Sequence, residues 1–316
     1  MNTFKALLQR EYWEHRGAFL KTPLIMGSLM SIFLILFYLT VEQFDLRVGG
    51  GQYIELGSAT MDDLDSSGIQ SAIDIFMLFT GSIYHFVLFI ILFFFMLGSL
   101  YDDRKDGSIL FWKSLPVSDT QTVLSKFVTA LVVVPVIFAL GLMISHLVFF
   151  LVTSLILLIN GINPFTLLWS NINFINNWGA FLVGCLAQAA WALPIYGWLL
   201  FSSAYSKRRP FLMAVFLPLI VGFGWYFYNA IVNLEVLKVG VFKTIGIVMA
   251  KATTPFTSGM GFDLESVDFD PTQQTSGELI RSMLNGLTNP SIYYGMIFAA
   301  IAIAMAIYVR RFRNTT

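Results

Sequence analysis

Charge is what this chain has least of. Only 12% of its 316 residues are Asp, Glu, Lys or Arg, while 57% are hydrophobic and Phe alone occurs 31 times. A soluble domain of that composition would expose too much apolar surface, so the chain reads as an all-α integral membrane protein. One cysteine, Cys185, sits within an apolar run, which excludes an intrachain disulfide and suits a small core residue. The 19 basic and 19 acidic residues cancel, so no excess positive charge points to nucleic acid. No G-x-x-x-x-G-K-S/T phosphate loop occurs, nor any internal repeat or low-complexity tract.

What is there is a series of six apolar runs of membrane-spanning length, at about 22–41, 79–100, 127–152, 178–203, 211–234 and 291–309. The third stays apolar as far as Ile159, longer than a bilayer needs, so it must tilt, bend at Pro135 or project beyond the surface. In residues 1–21, Phe4, Leu7, Leu8 and Tyr12 share a helical face while Lys5, Arg10 and Arg16 lie off it. That pattern predicts an amphipathic interfacial helix lying flat on the membrane before the chain turns in. The first span is too long for a signal-peptide core and no small-residue cleavage site follows, so it is expected to be retained. Residues 42–78 form an acidic, Gly-rich outer loop, with Gly49, Gly50 and Gly51 in a row. Residues 235–290 form the long extracytoplasmic segment between spans five and six. Its Val239 to Lys251 portion is apolar enough for a surface or partly inserted helix, and Asp263 to Asp270 is an acidic tip.

Orientation follows from the basic residues. Fourteen of the 19 Lys and Arg fall on the side that holds both termini, the 101–126 loop and the Lys207, Arg208, Arg209 turn. That side is therefore expected to be cytoplasmic. No Asp, Glu, Lys or Arg remains inside the spans, whereas ion-coupled carriers and voltage sensors place ionisable groups there. A channel or secondary carrier is disfavoured on that ground. Without a phosphate loop of its own, the chain would take transport energy from a separate ATPase pressing on its cytoplasmic loops.

The longest charged interruption on that side is 101–126, YDDRKDGSILFWKSLPVSDTQTVLSK. A plain solvated turn would not carry Ile109, Leu110, Phe111, Trp112 and Leu115, which seek a protein or membrane surface. Asp102, Asp103 and Asp106 favour a helix start electrostatically, Ser108 is placed to cap it and Pro116 to end it. A short amphipathic helix at the inner edge of the membrane is the result.

Within the spans the polar side chains are few. His85 and His146 lie at a similar depth, ~9 Å below the outer surface at ~1.5 Å per residue, so they could pair on a metal or a polar substrate, or else bond separately to neighbouring helices. Gln188, Trp191 and Tyr196 in span four and Asn229 in span five either face a translocation path or knit helices together. The 13 Met residues show no paired spacing and serve as core filler.

These features resemble the permease subunits of ABC-2 type transporters over essentially the whole chain. The sharper local likeness is Asp106 and Gly107, then the apolar helix 108–113, then Ser114-Leu115-Pro116-Val117-Ser118 and Lys126. The family usually has Glu in an R-E-x-x-G-like context, where this chain has Asp-Arg-Lys-Asp-Gly. The resemblance implies a cytoplasmic coupling helix seated in a groove of an ABC ATPase, with the N-terminal helix bracing the same interface. Asp106, Gly107, Ile109, Phe111, Trp112, Leu115 and Pro116 would form that interface, Asp102, Asp103, Arg104 and Lys105 setting register at its rim. His85, His146, Gln188, Trp191, Tyr196 and Asn229 would line the path. It further implies a homodimer with two ATPase subunits, an exporter in a prokaryotic plasma membrane, no cofactor on this chain, and ATP with magnesium on the partner. The competing reading is a non-transporting scaffold that anchors an assembly, its apolar loop helix resting on lipid headgroups.

Overall fold

A computed structural model describes residues 3–41, 47–48, 52–53, 66–114, 116–232, 241–256 and 276–312. Helices run α1 (Thr3–Arg16), α2 (Thr22–Val41), α3 (Ser66–Lys105), α4 (Ser108–Ser114), α5 (Asp119–Val128) and α6 (Val134–Ile159). They continue as α7 (Pro164–Leu167), α8 (Phe174–Tyr205), α9 (Pro210–Val232), α10 (Val241–Thr253), α11 (Ser276–Leu287) and α12 (Pro290–Phe312). The only strands among the described residues are a two-residue antiparallel pair, Arg47–Val48 with Gln52–Tyr53. Six helical stretches are long and apolar enough to cross a membrane, so the chain is an all-α integral membrane protein, as its composition requires. The Gly49 to Gly51 run and the acidic tip at 263–270 lie outside the described residues.

Helix α8 is the centre, packed against α3, α9, α10, α11 and α12. Small residues let its neighbours approach closely, because helices in lipid gain by packing rather than by escaping water. At Gly197 a β-carbon would lie 2.9 Å from the Ala299 Cα of α12, and at Gly295 one would touch the Pro194 ring. Phe181, Tyr196, Leu199 and Leu200 fill the space between α8 and the buried Phe89, Leu92 and Met96 of α3. A second apolar cluster, Ile73, Met77, Phe150 and Leu168, closes the end of the bundle away from the termini.

Two very long helices lie side by side. Helices α1 and α2 join through a π-helical turn, Gly17–Lys21, and α5 and α6 through another, Thr129–Val133. The pairs run in the same direction: Lys126 bonds Glu11, Gly141 packs on Pro23, Gly27 on Ser145, and Asn160 donates to the Tyr38 hydroxyl. The N-terminal helix stays helical into the first span and buries Leu7 and Glu11 along α5. Each π turn ends two residues before a proline, Pro23 or Pro135. A proline ring has no N–H for the carbonyl four residues back and collides with it, and a widened turn just upstream relieves both faults. Accordingly the Val134 N–H reaches back five residues to the Thr129 carbonyl. The first wide turn packs on α6 and the second on α1, so the two are staggered along the pair of helices.

The segment between α9 and α12 is partly built in. Helices α10 and α11 both pack on α8, with Ala252, Leu279 and Met283 buried. A β-carbon at Gly27 would overlap Ser145, whereas one at Gly224 on α9 meets nothing within 4 Å. Gly27→Val is expected to cost about 1–3 kcal/mol as an overpacked contact, and Gly224→Ala to be close to neutral. Melting of both variants in detergent checks this.

Candidate functional site

Helix α1, the α3–α4 turn, α5 and the end of α12 meet at one end of the bundle, which the ion pairs below define. Helix α3 runs to Lys105 and is cut off at Asp106–Gly107, where Gly107 takes φ +71°, a left-handed conformation that glycine adopts without strain. Helix α4 follows at once. Its Ser108 hydroxyl donates to the Asp103 carbonyl, which ties α4 back onto α3. At the far side Ser118 accepts from the Gln121 N–H, and Gln121 in turn accepts from the Ser118 N–H, a capping box that starts α5.

The expected interface residues divide. Ile109 is 1% exposed and packs within the chain, so it is not an anchor free for a partner. Leu110 and Phe111 are 60% and 59% exposed, and Asp106, Gly107 and Pro116 also face outward. Trp112 is half-buried, with the Arg10 guanidinium 3.7 Å from its ring centroid. Leu115 lies outside the described residues.

Beneath α4 is a cluster of buried charge. The Asp103 carboxylate meets Arg10 at 2.9 Å, Arg310 at 3.3 Å and Lys126 at 3.5 Å. Lys126 also holds Glu11 at 3.0 Å, Arg10 holds Glu14 at 2.7 Å, and Arg310 holds Asp119 at 3.0 Å. Glu11 is fully buried and Lys126 nearly so. Four helices, α1, α3, α5 and α12, are thus joined through side chains that could not be buried singly. Arg310 sits in the last turn of α12, where a cation also favours the helix dipole. Arg104 turns inward as well, donating to the Ser203 and Ser206 carbonyls that end α8. Asp103 and Arg104 are therefore internal ties, not the rim charges expected of them. A cleft of about 440 Å³ opens beside this cluster, lined by Trp112, Lys113, Asp119, Ile307, Arg310 and Arg311.

Counting charges by loop hides such a cluster. The signal that could have revealed it is spacing: Glu11 stands four residues after Leu7 on the buried face of α1, and Lys126 three after Val123 on that of α5.

The interior polar residues form two separate groups. The His85 Nδ1 is 2.9 Å from the Gln188 Oε1, and the Gln188 amide donates to the carbonyls of His85 and Ala252. Since the amide nitrogen is occupied by two carbonyls, Oε1 accepts and His85 carries its proton on Nδ1. Gln188 so ties α3, α8 and α10 together. Near it Lys251 stands 4.2 Å over the Trp191 ring, and partial burial holds its ammonium below the usual range. His146 instead bonds Thr80 at 2.7 Å and accepts from the Trp178 indole at 3.4 Å. The two imidazoles have different partners and do not pair, and no group of three or more His, Cys, Asp or Glu suited to a metal occurs among the described residues. Tyr196 is buried beside Phe89, and Asn229, half-buried on α9, joins neither group.

A family model described as "ABC-2 family transporter protein" matches residues 69–254, more than half of the chain. The match takes in α4 and, from the charge cluster, Asp103, Asp119 and Lys126. No curated protein and no solved structure gave a match.

Breaking one partner of a buried ion pair strands the other. Glu11→Leu alone is expected to cost about 3–5 kcal/mol, while Glu11→Leu with Lys126→Met restores most of that loss, because an apolar pair of similar volume needs no desolvation. Comparing the melting of the single and double variants decides it.

Proposed function

The chain belongs to the ABC-2 transporter family, a membrane permease by that kinship, and we propose that it is the membrane half of an ATP-driven exporter. A separate ABC ATPase, present in two copies, engages it through α4, and two copies of this chain enclose the path. ATP and its magnesium are held by that partner, in keeping with the lack of a phosphate loop in this sequence. The observation that carries the reading is the placement of Leu110 and Phe111. Both are exposed on a helix of about two turns, held at the end of the bundle where the chain's buried charges converge. Exposed large apolar side chains on so short a helix are what a protein groove takes up, and burying them would anchor the contact.

The excess of Lys and Arg at this end supports a cytoplasmic side for it and for both termini, in what we read as a prokaryotic plasma membrane. Helices α2 and α9, whose apolar side chains are widely exposed, face lipid or the second copy. Cargo would meet His85, Gln188, Trp191 and Tyr196 only when α8 parts from α3 and α10, since these side chains are buried between them.

The test is co-purification. Tagged wild-type chain taken from its native membranes is expected to bring with it a protein that mass spectrometry identifies as an ABC ATPase. Leu110→Asp with Phe111→Asp should lose that protein while keeping the wild-type melting temperature, because both side chains already face outward. Recovery of equal ATPase with the variant, or of none with the wild type, would remove the coupling role of α4 and leave a scaffold reading in its place.

A further inference from the structure

Helix α4 touches the rest of the chain at few points. Its start is fixed to α3 through Gly107 and the Ser108 hydroxyl, Ile109 is buried, and Trp112 lies against Arg10. Between α4 and the end of α12 lies the open cleft, which Trp112 and Arg310 both line. A push on α4 reaches Arg10 through Trp112.

The Arg10 side chain is used on two surfaces. The flat face of its guanidinium lies on the indole of Trp112, while its nitrogens bond Asp103 and Glu14. A planar cation is the one side chain that can do both together, since Lys has neither a stacking face nor a fork of donors. Asp103 then passes the contact to Arg310 on α12 and Lys126 on α5. Resting on the coupling reading of α4, we infer that Arg10 is the positioning residue that transmits displacement of α4 to the ends of α5 and α12, with Trp112 as its receiving surface. On this account Trp112 is not chiefly a docking anchor. Docking falls to Leu110 and Phe111, and transmission to the Trp112–Arg10–Asp103 line.

The experiment uses the chain in complex with its ATPase, carrying nitroxide labels at Thr40→Cys and Tyr294→Cys, two exposed positions away from the charged end. The native Cys185 is buried and stays unlabelled. In the wild type, ATP with vanadate is expected to change the distance between the labels. With Trp112→Leu the ATPase still co-purifies and hydrolyses ATP, but the distance change is lost. Trp112→Phe, which keeps an aromatic face for the guanidinium, retains it, and Arg10→Lys, which keeps only charge, does not. A full distance change with Trp112→Leu overturns the inference, and so does loss of the ATPase from that variant, which would make Trp112 a docking residue. Absence of the ATPase from the wild type is a different result: it removes the coupling reading first and the inference with it.

Discussion

One carboxylate organises the charged end of this protein. Asp103 faces Arg10, Arg310 and Lys126 at 2.9–3.5 Å, each cation brought by a different helix. None of these groups could be buried alone without a large desolvation cost, so the four helix ends have to arrive together or not at all. On the coupling reading proposed above, that all-or-none character suits a junction that moves as a unit. Lipid-facing helices could otherwise slide independently, because apolar side chains in a bilayer gain little from one neighbour over another.

From that junction the architecture extends in two directions. Outward, α4 is hinged at Gly107 and reaches the cluster through the Arg10–Trp112 stack, leaving Leu110 and Phe111 free. Inward, the cluster feeds two long parallel helices, each with a π turn just ahead of its proline, Pro23 or Pro135. A widened turn lacks the regular four-residue hydrogen-bond ladder, so it is where a long helix bends most easily. Under the proposed coupling, a displacement applied at the charged end would meet these compliant turns before it reaches the packed interior. There Gln188 joins α3 and α8 to α10, so that α10 belongs to the same body.

Much of this could be read from residue types alone, and the reasons are physical. Long apolar runs can only be helices in a bilayer, so the six spans follow from hydropathy, and the apolar residues of 101–126 single that stretch out among the loops. The failures share one cause. Asp103 reads as a rim charge and Lys126 as part of a loop motif, and Glu11 and Arg310 go unremarked, because a single residue carries no sign of the partner that makes burial tolerable, and those partners lie as far apart as Arg10 and Arg310. The same long-range pairing holds α1 alongside α5, a contact that the amphipathic pattern of α1 does not show. His85 and His146 matched in depth along their spans, but depth does not give rotation about the helix axis, and their partners are Gln188 and Thr80.

The central claim is that Asp103 makes four helix ends one unit. Amide hydrogen exchange on wild type and Asp103→Asn in detergent reads it directly, since local opening free energy reports what holds each segment. The account requires exchange to rise together in α1, α5 and the last turns of α12, all distant in sequence from the altered residue. A rise confined to the end of α3 and to α4 would contradict it, and would mean that the cluster is a set of separate pairs.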